Sequence, residues 1–353
     1  MSDELSWPSI LGKLIAKIDL SPTEITWATE NLMSATATPA QMAGFMIGMR
    51  SKGERVAEIS AMVDVLLAHA VRPDLPNDAL DIVGTGGDQL GTVNISSMAA
   101  LVAAAAGVPV LKHGSRSASG RTGSSEMLEA AGIKLDLAGD RLRDIFGRVG
   151  MGFFFAPAHH PALKNVAAVR KELGVPTIFN FLGPLANPVQ PLATALGVAN
   201  EAMAPVLAEV MQAKGRTAFV FRGSDGLDEL TTTGVSQIWL TTAGEIRQVS
   251  LDPADLGLAK AQISDLIGGD AGENATLAKT LFASGSADSP IAEIVALNAA
   301  AGMAVYELAK SGKKLSEFDY LESLRANLVS AKATIADGRA ASKFDHWAIA
   351  TNE

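Results

Sequence analysis

Residues 79–88 read Ala-Leu-Asp-Ile-Val-Gly-Thr-Gly-Gly-Asp, a short apolar run that ends in a glycine-rich loop. An alanine-rich segment suited to a helix follows and runs to Ala106. Apolar runs of this kind recur along the chain, each ending in a loop, at 79–83, 108–111, 153–155 and 218–221. Their alternation with helical segments predicts an α/β fold with a mostly parallel central sheet. Two later runs, 238–240 and 246–249, have the pattern of paired strands.

The residues before this region, to about 70, have the pattern of helices. Amphipathic segments begin at Pro22, Pro39 and Glu54. In the second segment, four apolar side chains recur at helical spacing: Met42, Phe45, Met46 and Met49. This spacing predicts a core face or a surface for self-association. The segment 71–78 holds two prolines among charged residues and predicts a domain boundary.

The composition excludes several classes of protein. The chain has 353 residues, 48% of them hydrophobic, which is enough for a sizeable core. It has no cysteine, so disulfides, thiolate metal sites and cysteine nucleophiles are excluded. The net charge of −9 argues against a broad nucleic-acid-binding surface. No signal-peptide pattern opens the chain, and its longest apolar stretch is too short to span a bilayer. We therefore expect a cytoplasmic protein without nucleic-acid or membrane partners.

The loop 84–88, Gly-Thr-Gly-Gly-Asp, has the composition of an anion-binding turn. Its glycines let backbone N–H groups approach an anion closely. Asn94, Ser96 and Ser97 stand where the next helix begins, and a helix N-terminus attracts negative charge. Gln89 replaces the last glycine of the dinucleotide fingerprint, and a P-loop ending is absent. The pattern predicts a phosphate site; the alternative is a tight turn followed by a helix cap.

The second predicted strand ends in Lys112-His113-Gly114-Ser115-Arg116, followed by serines and glycines as far as Ser125. Two cations at a strand end, with hydroxyl groups and glycines around them, suit a highly charged phosphate ligand. His113 is also consistent with a structural role. We assign it no proton transfer.

Arg170 is placed by its spacing on the apolar face of a helical segment, 161–173, together with Leu163, Val166 and Leu173. A guanidinium in an apolar stripe either binds a carboxylate or phosphate, or extends from an interface toward solvent. The spacing alone does not separate the two. The adjacent His159 and His160 point apart, so we do not expect them to form a metal pair.

The acidic pair Asp228-Glu229 follows the fourth predicted strand. Adjacent carboxylates at a strand end, near a phosphate loop, are the donors that Mg²⁺ needs. The alternative for such a pair is solvated charge or helix capping. The sequence contains neither the zinc-peptidase motif nor the serine-hydrolase nucleophile elbow.

Six segments in this order resemble those of the anthranilate phosphoribosyltransferases, the tryptophan-pathway members of the nucleoside-phosphorylase-like transferases. They are Gly-Thr-Gly-Gly-Asp (84–88), Asn-Ile-Ser-Ser (94–97), Lys-His-Gly-Ser-Arg (112–116), Val-Arg-Lys-Glu-Leu-Gly-Val (169–175), Phe-Asn-Phe-Leu-Gly-Pro-Leu-Ala-Asn-Pro (179–188) and Asp-Gly-Leu-Asp-Glu (225–229). The resemblance extends over nearly the whole chain. It implies a small helical domain, residues 1–73 completed by helices from about 161–190. It also implies a larger α/β domain, 78–160 and 191–353, that binds phosphoribosyl pyrophosphate (PRPP).

The resemblance also implies roles for individual residues. Those expected to bind PRPP are Gly84, Gly87, Asp88, Thr92, Asn94, Ile95, Ser96, Ser97, Lys112, His113, Gly114, Ser115, Arg116, Ser117, Ala118, Ser119, Gly120 and Ser124. Ser96, Asp228 and Glu229 would bind Mg²⁺. Gly84, Ser115 and Arg170 would border anthranilate, with Arg170 meeting its carboxylate. The residues expected to act in catalysis are Lys112, Arg170, Asp228 and Glu229. The family is typically homodimeric through the helical domain.

The implied reaction transfers the phosphoribosyl group of PRPP to the amine of anthranilate and releases pyrophosphate. Mg²⁺ and Lys112 would neutralise the departing pyrophosphate. Positioning of the acceptor would supply much of the remaining rate acceleration. Ser115 stands where the family usually has asparagine, and serine has a shorter reach. Two alternatives are a nucleoside phosphorylase of the same architecture and a non-catalytic nucleic-acid-binding relative. The Asp228-Glu229 pair argues against a nucleoside phosphorylase, because it suits a metal bound to pyrophosphate. The net charge argues against a nucleic-acid-binding relative.

Overall fold

The computed structural model describes residues 5–116, 122–137 and 139–353. These residues fall into two compact units. The helical unit comprises the described residues up to Arg72 and Ala156–Pro188, and the α/β unit comprises Pro73–Phe155 and Val189–Glu353. The strands of the described residues are β1 (Leu80–Gly84), β2 (Val110–Gly114), β3 (Met151–Phe155), β4 (Ala193–Gly197), β5 (Thr217–Gly223), β6 (Ser236–Thr242) and β7 (Glu245–Leu251). The α-helices are α1 (Trp7–Ile15), α2 (Pro22–Met33), α3 (Pro39–Lys52), α4 (Val56–Ala68), α5 (Ile95–Ala105), α6 (Ser124–Ala130), α7 (Gly139–Val149), α8 (Ala156–His159), α9 (Lys164–Leu173), α10 (Phe179–Leu182), α11 (Met203–Ala213), α12 (Ala271–Ser284), α13 (Pro290–Ser311), α14 (Tyr320–Ala336) and α15 (Arg339–Asn352).

Helices α2 and α3 of the helical unit begin at the two predicted prolines. In α2 the Ser21 Oγ accepts the Glu24 N–H at 3.3 Å, and the Glu24 carboxylate accepts the Ser21 N–H at 2.9 Å. Thr38 and Gln41 form the same reciprocal pair at the start of α3. Such capping boxes satisfy the N–H of the N-cap residue and an N–H of the first helical turn, so they fix where each helix starts. Helix α1, which no sequence pattern singled out, precedes them.

The apolar face of α3 lies in the core of the helical unit. Met42, Phe45, Met46 and Met49 are all buried, so their stripe is a core face and not an exposed surface. Phe45 also meets the Trp7 ring edge-on, with the ring centroids 6.2 Å apart. The unit is completed by α9, where the Asn165 side-chain amide donates to the Met33 carbonyl at 2.6 Å.

The α/β unit is built on one seven-stranded sheet of order β3-β2-β1-β4-β5-β6-β7. The five strands from β3 to β5 are parallel, whereas β6 and β7 are antiparallel to their neighbours. The prediction of a small N-terminal helical domain and a larger α/β domain with a mostly parallel sheet is confirmed. Sequence reading missed β4, whose five residues, Ala-Thr-Ala-Leu-Gly, include one β-branched residue, Thr194, and no aromatic residue, although both kinds are typical of strands.

Helices cover both faces of this sheet. Alternate strand residues such as Leu80 and Ile82 belong to a large core formed with α5 and α13. Ala79, Leu111 and Phe154 join a smaller cluster on the opposite face. Helix α13 can approach β1 because it carries Gly302: a methyl group there would lie 2.6 Å from the Ile82 side chain.

Helix α13 is also the one helix among the described residues with the length and apolar composition of a membrane span. In its apolar window, 83% of the residues are buried inside the protein. It therefore serves as a central core helix of the α/β unit.

Candidate active site

Four of the five parallel strands end in glycine, and a neighbouring group passes closely over each. These glycines are Gly84, Gly114, Gly197 and Gly223, at the ends of β1, β2, β4 and β5. At Gly114, for example, a methyl group would lie 2.5 Å from the Ser124 Oγ. The loops that follow parallel strands meet at the carboxyl edge of the sheet, where ligands of α/β proteins bind. The glycines let these loops fold closely over that edge.

Gly84 and Gly197 are partners in the register of β1 and β4. A methyl group on Gly84 would overlap the Asp228 carboxylate, and one on Gly197 would overlap the Asp228 backbone carbonyl. The two glycines thus make a notch that receives Asp228. Sequence reading missed Gly197 as a contact of Asp228, along with β4; a glycine after an apolar run was the available signal.

The glycine loop after β1 has the open backbone that was expected of it. Gly86 and Gly87 have φ of +67° and +88°, a region that side chains disfavour. Helix α5 then begins at Ile95, after the Asn94 N-cap. Asn94 makes no capping bond to the helix, contrary to the helix-cap alternative. The N–H groups at the start of α5 are therefore not consumed by the Asn94 side chain, which suits an anion site.

Lys112 in β2 is fully buried beneath this loop. Its ammonium donates to the Ile82 carbonyl of β1 and lies 3.4 Å from the Ser96 Oγ at the start of α5. Burial lowers the Lys112 pKa, and the negative charges of Asp81, Glu229 and Asp228 oppose that effect. A buried cation facing acidic groups and a helix start is well placed to meet a polyphosphate.

The acid pair Asp228-Glu229 lies in the same place. The Asp228 carboxylate accepts the Gly86 N–H at 2.7 Å. Burial, with the charge of Asp88 next, raises the pKa of Asp228 to about 6. Burial and the charge of Asp228 also raise the pKa of Glu229 well above its ordinary value, while Lys112 acts in the opposite direction. The pair is thus not the solvated surface charge that was its alternative.

Two sets of hydrogen bonds, made by Asp225 and Asn298, fix the segment that carries the acid pair. The Asp225 carboxylate accepts hydrogen bonds from the hydroxyl groups of Thr231, at 2.5 Å, and Thr233, at 2.6 Å. Asn298 of α13 accepts the Leu230 N–H at 2.9 Å and donates to the Leu230 carbonyl at 2.8 Å. Asn298 is fully buried, and its chemical role was not visible in the sequence because its partner lies 68 positions away.

The loop after β2 is described in part. The Ser115 carbonyl accepts hydrogen bonds from the Ser125 N–H and the Ser124 Oγ, and the Ser115 side chain is exposed. Arg116 lies 3.2 Å from Glu129 and stacks over the Phe155 ring. His113 is buried, and its backbone N–H donates to the Asp81 carboxylate at 3.2 Å. The remaining predicted PRPP-binding residues of this loop, Ser117, Ala118, Ser119 and Gly120, lie outside the described residues.

Arg170 belongs to α9 of the helical unit. The buried residues of α9 are Val166 and Val169, so the predicted apolar face was partly wrong: Leu163 precedes the helix, and Leu173 is half-buried. The Arg170 guanidinium carbon lies 5.5 Å from the Phe179 ring centre. Burial lowers the pKa of Arg170. Within the described part of the chain, no carboxylate pairs with this guanidinium.

Across residues 5–116, 122–137 and 139–353, protein groups alone do not form a metal site. No cluster of three or more histidine, aspartate or glutamate side chains among the described residues is arranged to hold a metal ion. His159 and His160 donate to two different carbonyls, those of Val71 and Ala186. A metal at Asp228 and Glu229 would therefore need further oxygen ligands from a substrate, which is the usual arrangement for Mg²⁺.

Comparison with known proteins identifies relatives over the whole length of the chain. Residues 8–70 match the helical bundle domain of the glycosyl transferase family, and residues 76–341 match its α/β domain. The chain is 48% identical to the anthranilate phosphoribosyltransferase of Leifsonia xyli, over 99% of this chain and all of the relative. It is 47% identical to that of a Nocardioides species, over 98% of this chain and 99% of the relative.

Solved structures agree with the sequence relatives. The anthranilate phosphoribosyltransferase of Thermus thermophilus superposes with a TM-score of 0.86 at 36% identity, covering 98% of this chain and 99% of the other. The Saccharomyces cerevisiae enzyme in complex with PRPP and Mg superposes with a TM-score of 0.86 at 25% identity, covering 99% of both chains. With its two matched domains and full-length relatives, the chain belongs to the anthranilate phosphoribosyltransferase family of glycosyl transferases.

Proposed function

We propose that this chain transfers the phosphoribosyl group of PRPP to the amine of anthranilate and releases pyrophosphate, a step of tryptophan biosynthesis. The observation that carries the proposal is the cluster of buried Lys112 and the Asp228-Glu229 pair next to the Gly84–Asp88 loop and the start of α5. Full-length relatives at 48% and 47% identity are anthranilate phosphoribosyltransferases. The cluster combines a cation, backbone N–H groups and carboxylates, the groups that a magnesium-bound pyrophosphate requires.

The donor set at this cluster fits Mg²⁺. Burial is the main cause of the raised pKa of Asp228 and of Glu229; the charge of Asp88 adds to it at Asp228, and the charge of Asp228 adds to it at Glu229. A divalent cation would offset both effects by stabilising the ionised carboxylates. Ser96, Asp228 and Glu229 would hold the ion together with oxygens of PRPP. Bound there, Mg²⁺ would supply positive charge against the pyrophosphate.

Other residues of the chain stabilise the leaving group and bind the phosphates of PRPP. Lys112 stabilises the negative charge that develops on the leaving pyrophosphate, from a position where water is excluded. The N–H groups of the glycine loop and of the start of α5 bind phosphate oxygens. No covalent intermediate is needed, because the aromatic amine is itself the nucleophile.

We assign recognition of the acceptor to Arg170 in the helical domain, and recognition of PRPP to the α/β domain. A half-buried guanidinium that has no carboxylate partner among the described residues is suited to the carboxylate of anthranilate. Phe179 stacks on it and limits its orientations. Gly84 and Ser115 would border the aromatic ring.

The proposal is tested by the loss of anthranilate fluorescence on mixing with PRPP, with and without Mg²⁺. We expect magnesium-dependent loss in the wild type. In Asp228→Asn the turnover number should fall by roughly 100-fold or more, because one carboxylate of the metal site is removed. Asp345→Asn, the same substitution at an exposed position of α15, serves as the control for the altered net charge. Wild-type protein that binds PRPP but consumes no anthranilate would mean a different acceptor, and protein that binds neither would overturn the proposal.

We further propose that the chain forms a homodimer through its helical domain and works in the cytoplasm. Two isoleucines of the helical unit, Ile15 at the end of α1 and Ile47 in α3, are exposed. They flank a close contact between these helices, in which a methyl group on Gly48 would lie 2.9 Å from the Leu14 Cβ. Exposed apolar side chains at one place favour an interface.

A further inference from the structure

A segment that the proposed reaction does not use lies along the phosphate loop of the α/β unit. The Val93 N–H donates to the Leu266 carbonyl at 3.0 Å, and the Gly268 N–H donates to the Gly91 carbonyl at 2.9 Å. Thr92 and Ile267 form an isolated antiparallel bridge between these two bonds. The segment 266–268 thus runs beside the residues that lead into α5, and it continues into α12.

Asn274, in the first turn of α12, connects the two segments through its side chain. It is buried, with 3% of its surface exposed. Its Oδ1 accepts the Gly269 N–H at 2.7 Å, and its Nδ2 donates to the Asn94 Oδ1 at 2.9 Å. A methyl group on Gly268 would lie 2.6 Å from the Asn274 Oδ1, so the glycine is what lets this side chain reach across.

Asn94 also forms a hydrogen bond to a third segment, which contains Thr122. Its Nδ2 donates to the Thr122 carbonyl at 3.1 Å, and the Thr122 Oγ1 donates to the Gly269 carbonyl at 3.0 Å. Asn274, Asn94, Thr122 and Gly269 therefore form a closed ring of hydrogen bonds. The ring joins the start of α5, the end of the loop that follows β2, and the segment before α12.

We propose that Asn274 is a positioning residue for PRPP: it turns the Asn94 side chain away from the first turn of α5 and keeps that turn available to the substrate. An asparagine at the N-cap ordinarily accepts an N–H of its own helix. Asn94 makes no such bond, because its Oδ1 accepts from Asn274 instead. Its Nδ2 donates to the Thr122 carbonyl, so both polar atoms of this side chain, which was expected to bind PRPP, are engaged by protein groups. Without that donor, Asn94 is free to rotate and cap α5, where it competes with phosphate for the same N–H groups. The inference rests on the proposed function, because it takes PRPP as the ligand.

The test compares Asn274→Asp, Asn274→Ser and wild-type protein by calorimetric titration with PRPP and Mg²⁺, and by KM for each substrate. Aspartate keeps the acceptor for Gly269 but has no donor for Asn94. Serine is too short to reach Asn94 and adds no charge, and it provides a second variant should the aspartate variant fail to fold. We expect the PRPP dissociation constant to rise roughly tenfold in both, the equivalent of about one hydrogen bond, with KM for anthranilate unchanged.

Two controls separate positioning from a general loss of structure. Phe282, in the same helix as Asn274, makes a buried contact with Phe344 of α15; Phe282→Leu should lower thermal stability without changing PRPP affinity. In an Asn94→Ala background, Asn274→Ser should have no further effect on the PRPP dissociation constant, because the side chain it restrains is gone.

Each outcome decides one question. Unchanged PRPP affinity in both Asn274 variants, equal changes in the KM of both substrates, or an undiminished effect in the Asn94→Ala background would overturn the positioning role. Wild-type protein that binds PRPP without consuming anthranilate would contradict the proposed function and leave the affinity comparison valid. Wild-type protein that does not bind PRPP would overturn both.

Discussion

Gly197 and Gly84 face the same residue, Asp228, but they constrain different parts of it. A side chain on Gly84 would meet the Asp228 carboxylate, which has rotamers to move into, whereas one on Gly197 would meet the Asp228 backbone carbonyl. The backbone there is fixed on one side by Asp225 and on the other by Asn298. Replacement of Gly197 should therefore displace the acid pair more than replacement of Gly84.

We predict that Gly197→Ala lowers the turnover number at least roughly tenfold and destabilises the protein by about 1–3 kcal/mol, the range for an overpacked site. Activity assays and chemical denaturation would measure both. Gly147→Ala is the matched control: nothing lies within 4 Å of the added methyl group, and the residue is inside α7. There the change should stabilise the helix by roughly 0.5–1 kcal/mol and leave activity unchanged. A Gly197→Ala enzyme with wild-type kinetics would show that the notch at Asp228 is not required.

At the scale of elements, the connection from α8 to α9 depends on two buried histidines. The His159 Nδ1 lies 2.9 Å from the Val71 carbonyl, and the His160 Nε2 lies 2.7 Å from the Ala186 carbonyl. Burial lowers the pKa of both imidazoles from 6.5, with backbone hydrogen bonds acting in the opposite direction. Each histidine therefore binds its proton less readily in the folded protein than in the unfolded chain.

We predict that these histidines reduce stability on acidification. Below about pH 6.5 the unfolded chain takes up protons that the folded protein does not, so the free energy of unfolding falls as pH falls, by up to about 1.4 kcal/mol per pH unit for each imidazole. Chemical denaturation of wild type and His160→Gln from about pH 7.5 to about pH 5.5 would isolate one contribution. The stability of wild type relative to His160→Gln should decrease across this range. A constant difference would contradict the prediction; His346→Gln, at an exposed position, controls for the loss of an imidazole.

At the scale of the whole molecule, the proposed homodimer gives a further prediction. Ile15→Asp should halve the molar mass measured by light scattering, because a charge would be buried in the apolar interface at a cost of several kcal/mol. Val329→Asp on α14 of the α/β unit is the control, since Val329 is 67% exposed and lies outside the helical unit. A wild-type chain that is monomeric at assay concentration, or an Ile15→Asp protein of unchanged mass, would exclude this interface.

The units themselves show what sequence pattern can predict. The positions of α2 and α3 follow from proline and a capping side chain, since both signals act within one helical turn. Strands β1, β2, β3 and β5 follow from short apolar runs that end in loops. Strand β4 is not predicted by such a run. It lies between β1 and β5, and a strand paired on both sides is stabilised by its neighbours and needs little intrinsic strand propensity.

The sequence by itself determined the chemistry available to this protein: open glycine backbone, a cation and two carboxylates, each at the end of an apolar run. It also determined the family, because six such segments occur in one order. Only the tertiary structure decided which groups meet. Asn274 lies 180 positions from Asn94, and Asp228 lies 142 from Gly86. Contacts at such separations depend on strand order and register, which are fixed by the packing of the whole sheet and leave no local pattern in the chain.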